Sequence, residues 1–117
     1  MSLDDLGDWR KTHFTRDLTT DLADEQTVVT VGGWVKNLRD MGGVRFVVLQ
    51  DKFGEVQVTA KKNVVGEEIF DKLNLGFQDC VMVKGTLKAF PKAPNGVELI
   101  PSDVKVLNKA PEKLPID

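Results

Sequence analysis

Tyrosine is absent from this 117-residue chain, and cysteine and histidine occur once each, as Cys80 and His13. A lone cysteine closes no internal disulfide, and one Cys with one His cannot supply the ligand sets of the usual zinc sites. A Cys/His metal enzyme is therefore excluded. Serine occurs only at Ser2 and Ser102, neither near a histidine-bearing element, and there is no Walker-type phosphate loop or dinucleotide glycine fingerprint. No catalytic constellation remains, so His13 and Cys80 read as structural. No apolar run approaches the roughly 20 residues of a membrane helix, and the acidic N-terminus lacks the basic start and apolar stretch of a secretory signal. The expectation is a cytoplasmic protein with no membrane partner.

What is present fits one globular core: 41% hydrophobic and 29% charged residues, in a length typical of a single domain. The net charge of −2 argues against a generic basic nucleic-acid binder, but the charge is unevenly placed. Residues 1–25 hold seven acids and three bases, which leaves the rest of the chain net positive. Between Val35 and Lys62 the bases Lys36, Arg39, Arg45, Lys52, Lys61 and Lys62 face only Asp40, Asp51 and Glu55.

Residues 1–26 show no sustained period and read as a leader, with a short helix after Thr20. From Thr27 to Leu38 the chain is dense in β-branched and aromatic residues, with Gly32 and Gly33 in the middle, which predicts a strand interrupted by a bulge or sharp bend. Asp40 to Gly43 reads as a turn. A second strand, Val44–Asp51, leads through a tight connection into a third, Glu55–Ala60, where Val56, Val58 and Ala60 alternate with Glu55, Gln57 and Thr59. The second strand is apolar on both faces. A four-residue connection from Asp51 to Gly54 pairs Gln50 with Glu55, which sets Val48 opposite Gln57 and Phe46 opposite Thr59. Phe46 and Gln57 then become diagonal neighbours on the face turned away from the core.

A helix is predicted over 66–75, from Ile69 and Leu73 four apart and the Glu68 to Lys72 pair, ending near Gly76. Two more strands follow, Val81–Phe90 and Val97–Ile100, joined by the loop Pro91–Gly96, with a last β-like stretch at Asp103–Leu107. The tail from 109 to 117 carries Pro111 and Pro115 and reads as a linker. Three strands, a helix and two strands over residues 27–108 is the order of the OB-fold, a five-stranded Greek-key barrel that is all β but for one helix, β1-β2-β3-α-β4-β5.

An OB-fold binds oligonucleotides on the face around its second and third strands, stacking bases on aromatic rings and tracking phosphates with basic side chains. Phe46 is the candidate platform, although as one apolar residue in an apolar strand it could equally fill the core. Gln57 offers an acceptor and two donors in one plane, which match the edge of an unstacked uracil only if the amide's orientation is held. Arg39 is a stacking or phosphate candidate, with Lys36 and Arg45 behind it.

Gly33-Trp-Val-Lys-Asn-Leu-Arg-Asp-Met-Gly-Gly-Val-Arg-Phe46, then Leu49-Gln-Asp51 and Gly54-Glu-Val-Gln-Val58, resembles the anticodon-binding OB domain of the class IIb aminoacyl-tRNA synthetases, the aspartyl, asparaginyl and lysyl enzymes. Lys11-Thr-His-Phe14, Pro91-Lys-Ala-Pro-Asn-Gly-Val-Glu-Leu-Ile-Pro101, Val106-Leu-Asn-Lys-Ala110 and Leu114-Pro-Ile-Asp117 look most like the archaeal aspartyl type. The resemblance covers residues 10–117. It implies Phe46 as the platform for the middle anticodon uridine, Gln57 as the reader of that base's edge and Arg39 as an anticodon contact. It also implies Lys36 and the Pro91–Gly96 loop, Pro94 included, beside the first anticodon base. The implied partner is aspartate or asparagine tRNA through its anticodon loop. The implied parent is a homodimeric ligase using ATP and Mg²⁺, whose catalytic domain would follow Asp117, so that these 117 residues bind without catalysing and need no cofactor. One departure is Gln50, where the aspartyl type usually carries Arg. Two other readings remain open from the residues themselves: a free-standing OB-fold binder of single-stranded nucleic acid, and an assembly domain presenting an apolar patch on the same face.

Overall fold

The computed structural model describes residues 11–24, 26–76 and 78–108. The start of the leader, residues 1–10, and the proposed linker at 109–117 lie outside these. Five strands close into a barrel in the order β1-β2-β3-β5-β4: β1 Val28–Met41, β2 Val44–Asp51, β3 Gly54–Lys61, β4 Cys80–Ala89 and β5 Val97–Asn108. All pairings are antiparallel except the short parallel contact of β3 with β5, Gln57 against Glu98 and Val58 against Leu99. This is the predicted OB-fold. The two β-like stretches after residue 97 form one strand.

One side of each strand builds the core. On β3 Val56, Val58 and Ala60 are buried as the alternation predicts, but Thr59, expected on the outer side with Glu55 and Gln57, is buried as well at 3%. Pairing orients β2, which periodicity left undecided: Val47 and Leu49 point inward, and Phe46, Val48 and Gln50 are only half-buried on the outside. The register joins Gln50 to Glu55, Val48 to Gln57 and Phe46 to Thr59, as the short connection requires.

Strand β1 serves two sides of the barrel. Val28–Trp34 pairs with β4 and Trp34–Met41 with β2, so the strand changes partner at Trp34. The irregularity lies at Lys36, between Val35 and Asn37, and not at the paired glycines as the sequence suggested. Gly33 serves a close approach instead: a Cβ there would stand 2.5 Å from the Gln50 carbonyl oxygen, which no side chain tolerates.

The leader helix after Thr20 is α1, Thr20–Asp24. The segment before it packs against the barrel. Thr12 N–H donates to Thr30 O at 2.9 Å, Thr30 N–H returns a bond to Thr12 Oγ1 at 2.8 Å, and Thr15 and Leu18 are fully buried. Between β3 and β4 the chain forms two short helices, α2 Lys62–Val65 and α3 Glu67–Lys72, where one was predicted. Gly66, at φ 91°, lies outside the right-handed helical region and divides them. Helix α3 buries Phe70 against the core, and Lys72 Nζ donates to Val104 O at 3.0 Å, tying the helix to β5.

Among the described residues no helix is long and apolar enough to cross a membrane.

Candidate nucleic-acid interface

Because side chains alternate along a strand, closure of the barrel sets two rows of residues across its outer surface. One row runs Arg39, Phe46, Thr59 through the β1-β2 and β2-β3 pairings; the next runs Asn37, Val48, Gln57, Glu98. Phe46 is outside the core, half-buried among strand neighbours. The Arg39 guanidinium carbon lies 5.8 Å from its ring centroid, within cation–π range. Gln57 is half-buried, and its Nε2 stands 3.1 Å from Thr59 Oγ1. An aromatic side chain and a carboxamide are therefore diagonal neighbours on one outward face, an arrangement that can hold a base by its ring and read its rim.

Lys36 and Pro94 border this face. Lys36, the extra residue of the β1 bulge, is exposed and forms an ion pair with Glu55, two residues before Gln57 on the same side of β3. Pro94 begins the turn Pro94–Gly96 in the β4–β5 connection, three residues before Val97, the first residue of β5. That turn is fixed from below: Asn95, in the left-handed region at φ 63°, donates through Nδ2 to Thr15 O at 2.8 Å. Beyond Thr59 the surface deepens into a cavity of about 260 Å³ lined by Thr59, Lys61, Val64, Lys88, Glu98 and Ile100.

Arg45, the weaker phosphate candidate, is not part of the face. Its parity is that of Val47 and Leu49, and it lies over the Phe70 ring at 4.2 Å, bonded to the Phe70 carbonyl and to Asp40 at 3.3 Å. It fastens α3 to the barrel.

At the turn between β2 and β3, Asp51 is 2% exposed and accepts from Thr15 N–H at 2.9 Å, Thr15 Oγ1 at 2.7 Å, Phe53 N–H at 2.8 Å and Gly54 N–H at 3.1 Å. Burial alone would raise its pKa, but these bonds to the charged form outweigh that cost and hold it below the ordinary 3.8. Around this latch Phe14 and Phe53 meet edge to face at 4.8 Å, with the Arg16 guanidinium 3.7 Å over Phe53.

Cys80 is buried, and desolvation pushes its thiol up to about 11, so it stays protonated and unreactive at neutral pH. Among the described residues no group of three or more His, Cys, Asp or Glu side chains is placed to hold a metal ion.

Sequence reasoning missed Thr59 as Gln57's partner, and Asn37 and Glu98 as Gln57's row-mates. Thr59 was available from the alternation within β3, which sets it two residues from Gln57 on the same side. The placement of Glu98 comes from the parallel β3–β5 closure, which has no local signal.

The family model described as OB-fold nucleic acid binding domain, of the tRNA anticodon type, matches residues 29–107. The aspartate–tRNA(Asp/Asn) ligase of Methanocaldococcus jannaschii is 39% identical over 110 residues, covering 93% of this chain and 25% of the relative. That of Methanosarcina acetivorans is 41% identical over 118 residues, covering 100% and 26%. Among solved structures, asparaginyl-tRNA synthetase from Pyrococcus horikoshii, complexed with asparaginyl-adenylate, superposes with a TM-score of 0.76 at 32% identity, over 92% of this chain and 24% of that one. OBody AM2EP06, bound to hen egg-white lysozyme, superposes at 0.79 and 33%, over 86% and 96%. The chain spans about a quarter of the length of these curated relatives.

Proposed function

The chain belongs to the OB-fold nucleic-acid-binding family of tRNA anticodon domains, and on that premise we propose that it is the anticodon-reading module of an aspartate–tRNA ligase. In this reading the middle anticodon uridine stacks on Phe46 while the Gln57 amide pairs with its edge. Arg39 extends the stacking platform and neutralises backbone charge. Lys36 and the turn containing Pro94 flank the first anticodon base, and so bear on whether aspartate or asparagine tRNA is accepted. The parent enzyme would be a cytoplasmic homodimer joining aspartate to tRNA with ATP and Mg²⁺; those substrates would be handled outside these 117 residues.

The observation that carries the reading is the adjacency of Phe46 and Gln57 on one outward face, with the Arg39 guanidinium 5.8 Å from the Phe46 ring. An isolated aromatic would grip any base. An aromatic beside a carboxamide has the means to choose among them once the base's own edge sets the sense of the amide.

The test is binding of an anticodon stem-loop whose middle base is U against one in which it is C. Discrimination of about 1 to 3 kcal/mol in favour of U is expected, the scale of a lost paired contact that leaves polar groups unmet. Equal affinity removes the role assigned to Gln57. Equal binding of the hairpin and of poly-U, with a steep salt dependence for both, would instead favour a binder of single strands without anticodon preference.

A further inference from the structure

We propose that Asn37 is a further specificity-determining residue of this face, donating from Nδ2 to the pyrimidine carbonyl oxygen that Gln57 leaves unread. The inference rests on the anticodon reading above. It starts from a contrast between two amides in one row. Gln57's partner is the Thr59 hydroxyl, which both donates and accepts, so that contact fits either orientation of the amide. Asn37's partner is the backbone N–H of Leu38, which stands 2.9 Å from Oδ1. A backbone N–H only donates, so the oxygen must face it and the NH₂ group must turn away. Asn37 is thus a donor of fixed sense on an exposed position.

Its place is set by register. Asn37 pairs with Val48, and Val48 with Gln57, so the two amides flank one apolar residue on the outward face. Strands lie about 4.8 Å apart, which puts the two backbones about 10 Å from each other. A six-membered base over Phe46, with its pairing edge toward this row, fills that span with a hydrogen bond at each end. Uracil has a carbonyl at either end of that edge and an N–H between. Gln57 takes the N–H and one carbonyl, and Asn37 the other.

The experiment uses the 117-residue chain and anticodon stem-loops carrying uridine, 2-thiouridine or 4-thiouridine at the middle position, since sulfur is a poor hydrogen-bond acceptor. The wild-type chain is expected to lose about three- to tenfold in affinity with each thio base. In Asn37→Ala one of the two losses disappears, which identifies the carbonyl that Asn37 reads. Asn37→Asp keeps an oxygen for Leu38 N–H and lacks the donors, so it abolishes the same loss; the ratio of uridine to thiouridine affinity cancels any uniform repulsion of RNA by the new charge. If both losses persist unchanged in Asn37→Ala, or if Asn37→Asp retains both, Asn37 is structural and the inference fails. Should Phe46→Ala and Gln57→Ala leave uridine binding intact, the anticodon reading itself has failed. Weakening by those two alone would confine the failure to Asn37.

Discussion

Two polar clusters lie only three residues apart along β2, one at Asp51 and one flanking Val48, and they spend their hydrogen bonds differently. At the sealed end the Asp51 carboxylate is 2% exposed and is filled by four donors from Thr15, Phe53 and Gly54. On the outer face the Gln57 amide meets only the Thr59 hydroxyl among the described residues, and Asn37 keeps its amide NH₂ outward. A polar group whose partners all come from its own chain contributes to stability, whereas one left half-met at the surface has capacity for a ligand. The first cluster holds the chain segment around Thr15 against the barrel; the second awaits a base.

The largest effect that could break this contrast is at Asp51. Asp51→Ala leaves three buried or half-buried N–H groups without their acceptor and is expected to cost about 3 to 4 kcal/mol in urea unfolding, with no change in the U-to-C preference of the folded fraction. A changed preference would mean that the two clusters are coupled. The same group sets an acid limit. Its folded pKa lies below the ordinary 3.8, so its contribution is fully present above the unfolded value and is lost as pH falls through the folded one. The wild-type urea midpoint should therefore drop below about pH 4, while that of Asp51→Asn, already low, should show less of this fall.

The mirror image is Phe46→Ala, which should weaken the stem-loop by about 1 to 3 kcal/mol through lost stacking. Because the ring is outside the core, the unfolding transition should stay cooperative. A loss of cooperativity would assign Phe46 to packing after all. The smallest effect sharpens the assignment of Arg39: Arg39→Ala should weaken U and C hairpins alike, by about 0.5 to 1 kcal/mol, and lower the salt slope of binding by about one. A selective loss for the U hairpin would show instead that Arg39 reads the base.

Much of this face was legible before the structure. The clean alternation of β3 sorted Gln57 from Val56 and Val58, and a connection as short as Asp51–Gly54 admits one register. Those two facts placed Phe46 beside Gln57 although β2 itself carries no usable period. Arg45 shows where such reasoning stops. Its charge suggested a phosphate contact, but its parity turns it under α3, where the Phe70 ring and carbonyl engage it. The leader was equally misjudged by pattern: Thr15 and Leu18 carry no period, yet both are fully buried.

The sequence by itself determined the strands, the β2–β3 register and the pair Phe46 and Gln57, because alternation and tight turns are local constraints that neighbouring residues enforce on one another. Tertiary structure alone decided the partner switch of β1 at Trp34, the placement of Glu98 beside Gln57, the burial of the leader and the sense of the Asn37 amide. Each of these depends on contacts between atoms distant along the chain, or on a specific backbone geometry, and such contacts exist only once the barrel has closed.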